Sequence, residues 1–157
     1  MGKENAALLC EMLAARGELL KSLQGLHLET AETRPEPNEW STMEVLQHVA
    51  DVDSVQLRRF GEVLQGKGDL SKYDPAEWEG ARAEAARDGL SGVLLRLSAA
   101  RLELLKAIST LTQADLERSG RHARYGLMTG RQLVEMVIKH DRDHAQQIAK
   151  TRAVVEA

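Results

Sequence analysis

Four stretches of this chain repeat their apolar residues at steps of three and four, and that periodicity limits the fold to a packing of long helices. The first runs from about Lys3 to Leu23, with Leu8, Met12, Leu13, Leu19, Leu20 and Leu23 as its stripe. The second runs from Ser41 to about Leu64, with Val45, Val49, Val52, Phe60 and Val63 on one face and Leu46, Leu57 and Leu64 beside it. The third, about Gly89 to Leu111, carries Leu90, Val93, Leu94, Leu97, Leu104, Leu105, Ile108 and Leu111. The fourth, from Thr129 to about Ala153, carries Leu133, Val134, Val137, Ile138 and Ile148. Residues so spaced share one side of a helix. Aromatics make up only 3% of the chain, and the abundant Ala, Leu, Glu, Arg and Lys favour helix, so local preference agrees with the periodicity. Four such helices in 157 residues predict an all-α four-helix bundle, a single domain over residues 1–157.

The connections carry their own signals. Gly25 stops the first helix, and Pro35 and Pro37 make the following segment irregular. Ser41-Thr42-Met43-Glu44 and Thr129-Gly130-Arg131-Gln132 are capping boxes, which place two helix starts. Trp40, just before the first box, is expected to pack on that helix start. The mixed segment from Lys67 to Asp88 accommodates a short helix across Pro75 to Arg87. A polar connection is expected between the third and fourth helices, ending in Arg121-His122-Ala123-Arg124-Tyr125-Gly126.

Composition narrows the function classes. The formal net charge is −3 with acids and bases interspersed, and no basic stripe carries aromatics, so nucleic acid is not the expected partner. No apolar run approaches the length of a membrane span, and the N-terminus lacks the features of a signal peptide. The single Cys10 has no internal partner for a disulfide and reads as a buried small hydrophobe. The expected setting is cytoplasmic.

The polar residues that break the apolar stripes are the informative ones. His140 and His144 stand four residues apart in the fourth helix. With Leu133 as the zero of a helical wheel, His144 falls near about 20° and His140 near about 340°, among Val137 and Ile148. Asp141 falls near about 80°, inside the same stripe. In the second helix, with Val45 as zero, His48 lies near about 300° at the margin of the core face, and Asp53 near about 80° within it. Burying these groups is costly unless they satisfy one another or hold an ion. A divalent metal accounts for the set: imidazoles suit zinc, nickel, iron or copper, and three of them leave a coordination position open. Asp53 and Asp141 could then steady the imidazoles from behind. The competing reading is a set of hydrogen-bonded core histidines with no ion. His27 reads as a solvated loop residue.

The run Glu39-Trp40-Ser41-Thr42-Met43-Glu44-Val45-Leu46-Gln47-His48-Val49-Ala50-Asp51 resembles the first motif of the DinB-like superfamily, the YfiT-like metalloenzymes. Tyr125-Gly126-Leu127-Met128-Thr129 followed by His140-Asp141-Arg142-Asp143-His144-Ala145-Gln146-Gln147-Ile148 is similar to the second motif. The resemblance spans about residues 35–150. It implies an up-down-down-up four-helix bundle and one divalent metal held by His48, His140 and His144, with zinc or nickel foremost and iron or manganese as further options. It also implies a homodimer and a small-molecule substrate. Characterised relatives include transferases and isomerases that use a low-molecular-weight thiol such as mycothiol or bacillithiol. His122 lies where many relatives carry a histidine and is a candidate for the pocket mouth. Arg121 and Arg124 could attract an anionic substrate or be solvated loop charges.

The leading expectation is therefore a metal-dependent hydrolase or thiol-dependent transferase, with Asp53, Asp141 and Glu44 as candidate bases. The alternatives are a non-catalytic metal-binding or stress-response module and a metal-free helical dimerisation domain.

Overall fold

The computed structural model describes residues 2–157. Four long helices dominate: α1 (Lys3–Lys21), α3 (Thr42–Leu64), α5 (Gly89–Ser109) and α7 (Gly130–Val155). Short pieces join them: α2 (Leu28–Glu32), a 3₁₀ turn (Pro75–Trp78), α4 (Glu79–Ala86), α6 (Gln113–Glu117), and a hairpin of β1 (Ser119–His122) and β2 (Gly126–Thr129). The predicted capping boxes form. Ser41 Oγ accepts from the Glu44 backbone N–H at 3.2 Å, and Glu44 accepts from that of Ser41 at 2.8 Å. Thr129 and Gln132 do the same for α7 at 3.1 and 2.9 Å. Each box satisfies backbone donors that a helix start leaves unpaired, so the registers of α3 and α7, and with them the histidines, are set locally.

Cross-links between the helices establish their directions. Along α1 and α7 the pairs are Glu4 with Arg131, Glu18 with Arg142, and the Ser22 carbonyl with Arg152, all in ascending order, so these helices run parallel. Along α3 and α7, His48 meets His140 while Gln56 meets Met136, so those two are antiparallel. Gln47 meets Arg96 and Asp53 meets Arg101, which makes α3 and α5 parallel. The result is the up-down-down-up order. Around the bundle α1 packs on α7, α7 on α3, α3 on α5, and α5 back on α1.

The core has two lobes along the bundle axis. One gathers Met12, Phe60, Leu104, Ile108, Leu133 and Val137; the other gathers Leu19, Leu46, Val49, Leu97 and Ile148. Fully burying one such side chain contributes about 1.5–3 kcal/mol. The histidines come from α3 and α7, which, like α1 and α5, supply both lobes.

One expectation is corrected and two segments are filled in. Cys10 is exposed, because α1 turns it away from the Met12, Ala15 and Leu19 face that packs inward. The polar connection after α5 carries short elements of its own. Thr112 and Asp115 form a third capping box that starts α6, and the hairpin follows, pairing Ser119 with Thr129 and His122 with Gly126. Gly126 takes a left-handed φ of 73°, open to glycine without strain. Trp40 packs beside the start of α3, on His48. It is 41% exposed and its ring lies 5.0 Å from that of His48.

Candidate metal centre

Three imidazole edges meet where α3 and α7 cross. His140 Nε2 lies 3.0 Å from His48 Nε2 and 2.9 Å from His144 Nε2. One nitrogen from each ring lies within 4.8 Å of the others. The sequence dictates the arrangement: a four-residue step on α7 puts His140 and His144 on one side, and the Ser41 box sets how far along α3 His48 falls. All three rings are half-buried.

The donor chemistry of this trio calls for a cation. The His144 Nδ1 donates to Gln147 Oε1 at 2.6 Å, so in the neutral ring its Nε2 carries a lone pair. The Nε2 of His140 faces two neighbours, and one ring proton can make only one of those contacts linear. The other contact is then left without a linear hydrogen bond. Protonating a ring would relieve this, but the site resists it. Burial, then the neighbouring His144 and, less so, Arg82, lower the His48 pKa to about 4, with Asp51 opposing. Burial, the other two histidines, and Arg101 and Arg16 lower that of His140 to about 2. Burial also lowers that of His144, against Gln147, Asp143 and Asp141, which raise it. Three neutral imidazoles with converging Nε2 atoms have the donor chemistry of a metal-ligand set. An ion at about 2.0–2.1 Å from each nitrogen would set the N–N edges at about 2.9–3.4 Å, and the edges of 3.0 and 2.9 Å fit. His48, His140 and His144 can therefore hold a divalent ion.

Around the trio the polar groups form two separate systems. Behind His140, Asp53 and Asp141 are joined by Arg16 and Arg101. Arg101 donates to Asp53 at 2.9 and 3.0 Å and to Asp141 at 2.8 and 3.0 Å; Arg16 donates to Asp53 at 3.0 Å and to Asp141 at 3.1 Å. All four side chains are buried, and the two charges of each sign cancel. The carboxylates thus face inward as their wheel positions required, but their hydrogen bonds go to arginines. On the other side, Asp51 is fully buried and accepts from Arg82, Arg96 and the Tyr73 hydroxyl.

Sequence reasoning missed Arg16, Arg101, Asp51 and Tyr73. A signal existed for the arginines: Arg16 lies about 40° from Met12 on α1, and Arg101 about 40° from Leu97 on α5, each inside an apolar stripe. Asp51 gave no such signal. It projects away from the Val45 face and is buried because α4 and the segment before it cover that side. His122 stands apart from the trio. Its Nδ1 accepts from the backbone N–H groups of Arg124 and Tyr125 at 3.0 and 3.3 Å, so it closes the hairpin turn. Neither Arg121 nor Arg124 lines the cleft at the trio.

An open cleft of about 800 Å³ reaches the trio. Its lining includes Trp40, His48, Asp143, His144, Gln147 and Lys150. The three carboxylates considered as bases do not line it: Asp53 and Asp141 are held by arginines, and Glu44 is engaged by Ser41 and Arg34.

The same architecture and sequence pattern recur in known proteins. The uncharacterized protein YuaE of Bacillus subtilis (strain 168) is 26% identical over 155 residues, covering 90% of this chain and 95% of its own. Among solved structures, YfiT from Bacillus subtilis, described as a probable metal-dependent hydrolase with an unusual four-helix bundle topology, superposes with a TM-score of 0.78 at 18% identity, over 98% of this chain and 89% of that one. TT2238, a four-helix bundle protein, gives 0.68 at 18% identity, over 92% and 97%. ClbS, a colibactin self-resistance protein seen in complex with double-stranded DNA, gives 0.69 at 13% identity, over 95% of each chain. Residues 11–148 match the family model of the DinB superfamily, a span that contains His48, His140 and His144, and the chain belongs to that superfamily.

Proposed function

We propose that the protein is a metal-dependent enzyme acting on a small molecule, a hydrolase or a low-molecular-weight-thiol-dependent S-transferase, with His48, His140 and His144 as its metal ligands. The observation that carries this reading is the convergence of three neutral imidazoles, two of which, His48 and His144, line an open cleft. Zinc and nickel are among the ions that three imidazole donors suit. When bound, such an ion supplies a Lewis acid that lowers the pKa of a water or thiol in its open position.

The chain's own residues do the rest. Gln147 holds the His144 ring with its Nε2 lone pair toward the centre. Trp40 packs on His48 and gives the cleft an apolar wall. Asn38 and Gln146 offer amides for hydrogen bonding, and Lys150 a cation. Proton transfer falls to solvent or to Glu39 and Asp143, the carboxylates that line the cleft. The openness of the cleft supports an enzyme over a closed site that only braces the bundle. Its mixed charge supports a small polar substrate rather than DNA, although ClbS was seen with DNA.

Two further readings accompany this one. Exposed Leu13, Leu20, Leu95 and Leu102 on α1 and α5 support a homodimer, which sedimentation velocity tests. A free exposed Cys10 is compatible with a reducing, cytoplasmic setting. No helix among the described residues is long and apolar enough to cross a membrane.

The test is the metal content of protein purified without added metal, by elemental analysis, beside a His140→Ala/His144→Ala variant. About one equivalent in the wild type and none in the variant is expected. Metal-free wild-type protein that takes up neither zinc nor nickel refutes the reading. A screen of thiols and electrophiles, with chelated protein as control, then separates transferase from hydrolase.

A further inference from the structure

The third ligand, His48, differs from His144 in what steadies it. No amide reaches its Nδ1; instead the Tyr73 hydroxyl lies 3.4 Å away. Tyr73 comes from the segment between α3 and the 3₁₀ turn, far from either histidine motif. Its hydroxyl is nearly saturated. It donates its only proton to Asp51 Oδ2 at 2.8 Å and accepts from Arg82 Nη2 at 2.8 Å. What remains is acceptor capacity, and it faces the His48 ring. A partner of that kind suits only a ring whose Nδ1 carries the proton, which leaves the Nε2 lone pair for the trio.

The carboxylate behind this contact is itself fixed. Asp51 is fully buried and is held by Arg82 from α4 and Arg96 from α5. The line Asp51–Tyr73–His48 thus has the logic of a carboxylate behind a metal-bound imidazole, lengthened by one phenol. We propose that Tyr73 is the positioning residue for His48: it selects the tautomer and orientation in which His48 presents Nε2, and Asp51 with Arg82 and Arg96 fixes the phenol. This rests on the three-histidine reading above. It adds that the site depends on the 65–78 segment, which neither histidine-bearing helix supplies. That segment is tied down at a second place, where Arg58 of α3 pairs with Glu77, so loss of anchoring and loss of the phenol are separable.

The experiment measures the affinity of the full-length protein for Zn²⁺ and Co²⁺, each alone, by competition with a chromophoric chelator, in wild type, Tyr73→Phe and Arg58→Gln. Tyr73→Phe keeps the ring and removes one oxygen. The expected result is about 10- to 100-fold weaker binding of both ions and a changed Co²⁺ visible spectrum, with the metal-free protein still folded and its thermal midpoint lowered only by the loss of the hydroxyl's hydrogen bonds to Asp51 and Arg82. Arg58→Gln should bind as wild type does. Wild-type affinity and spectrum in Tyr73→Phe overturn the proposal. An equal loss in Arg58→Gln also overturns it, since the segment would then act by general anchoring. Wild-type protein that binds neither ion overturns the metal centre itself, and this inference with it.

Discussion

At the scale of single residues, the costly groups in this protein are polar and lie in or beside the core. Arg16, Arg101, Asp53 and Asp141 are tolerated because each charge has two partners of opposite sign. Removing one leaves its partners under-compensated where water cannot reach. Arg101→Leu is therefore expected to cost about 3–5 kcal/mol, read as a lower urea midpoint in the metal-free protein. The imidazoles impose a different signature. His48 and His140 have folded-state pKa values of about 4 and about 2, below the ordinary 6.5. As pH falls below 6.5 the unfolded chain takes up protons that the folded protein refuses, so their contribution to stability declines toward acid. It levels off only when the folded rings protonate, near pH 4 for His48. Urea midpoints of chelated protein between pH 7.5 and 4.5 should fall, and the difference from a His140→Leu variant isolates the imidazole share. A difference that does not change with pH would contradict a buried neutral trio.

At the scale of elements, helix starts and one glycine hold the site in register. The Ser41 hydroxyl caps the helix that carries His48 two turns on. Ser41→Ala should cost about 1 kcal/mol and shift the thermal midpoint accordingly. Gly92 on α5 lets α4 dock: a Cβ there would stand 2.0 Å from the Ala85 backbone oxygen and 3.0 Å from the Asp88 Cβ. The clash is with backbone, so it cannot be relieved by turning a side chain. Gly92→Ala is expected to cost about 1–3 kcal/mol and to loosen α4, which carries Arg82 to Asp51. Amide exchange of α4 should accelerate while that of α1 does not. The four long helices were legible in the sequence because their apolar faces recur over many turns. α6 and the hairpin were not, because a five-residue helix and two four-residue strands are too short to show a period. Their position comes from contacts such as the Leu70 N–H to the Arg121 carbonyl at 2.9 Å.

For the whole molecule, an ion bound by α3 and α7 would clamp helices that meet antiparallel and so link binding to global stability. Free zinc at one hundred times its dissociation constant should add about 2.7 kcal/mol. Calorimetry should show a higher midpoint that returns to the metal-free value with chelator, and no shift in His140→Ala/His144→Ala. If the ion raises the midpoint of that variant equally, the stabilisation comes from elsewhere on the surface.

The chain alone determined the helices, the two main caps, and the inward direction of His140, His144, Asp53 and Asp141. All of these follow from local hydrogen bonding and from the angular repeat of a helix, which a sequence carries in full. It also carried the motifs that mark the DinB superfamily. Only the tertiary structure decided what those inward groups meet. The aspartates turned to arginines on α1 and α5, and Asp51, outside the apolar face of α3, was buried by α4. Tyr73 reached His48 from a segment whose sequence has no period. Partners in a buried network are chosen by the geometry of packing between distant segments, and no one helix records that geometry. The same holds for the trio: spacing put two imidazoles on one face, but the crossing of α3 and α7 brought the third to 3.0 Å.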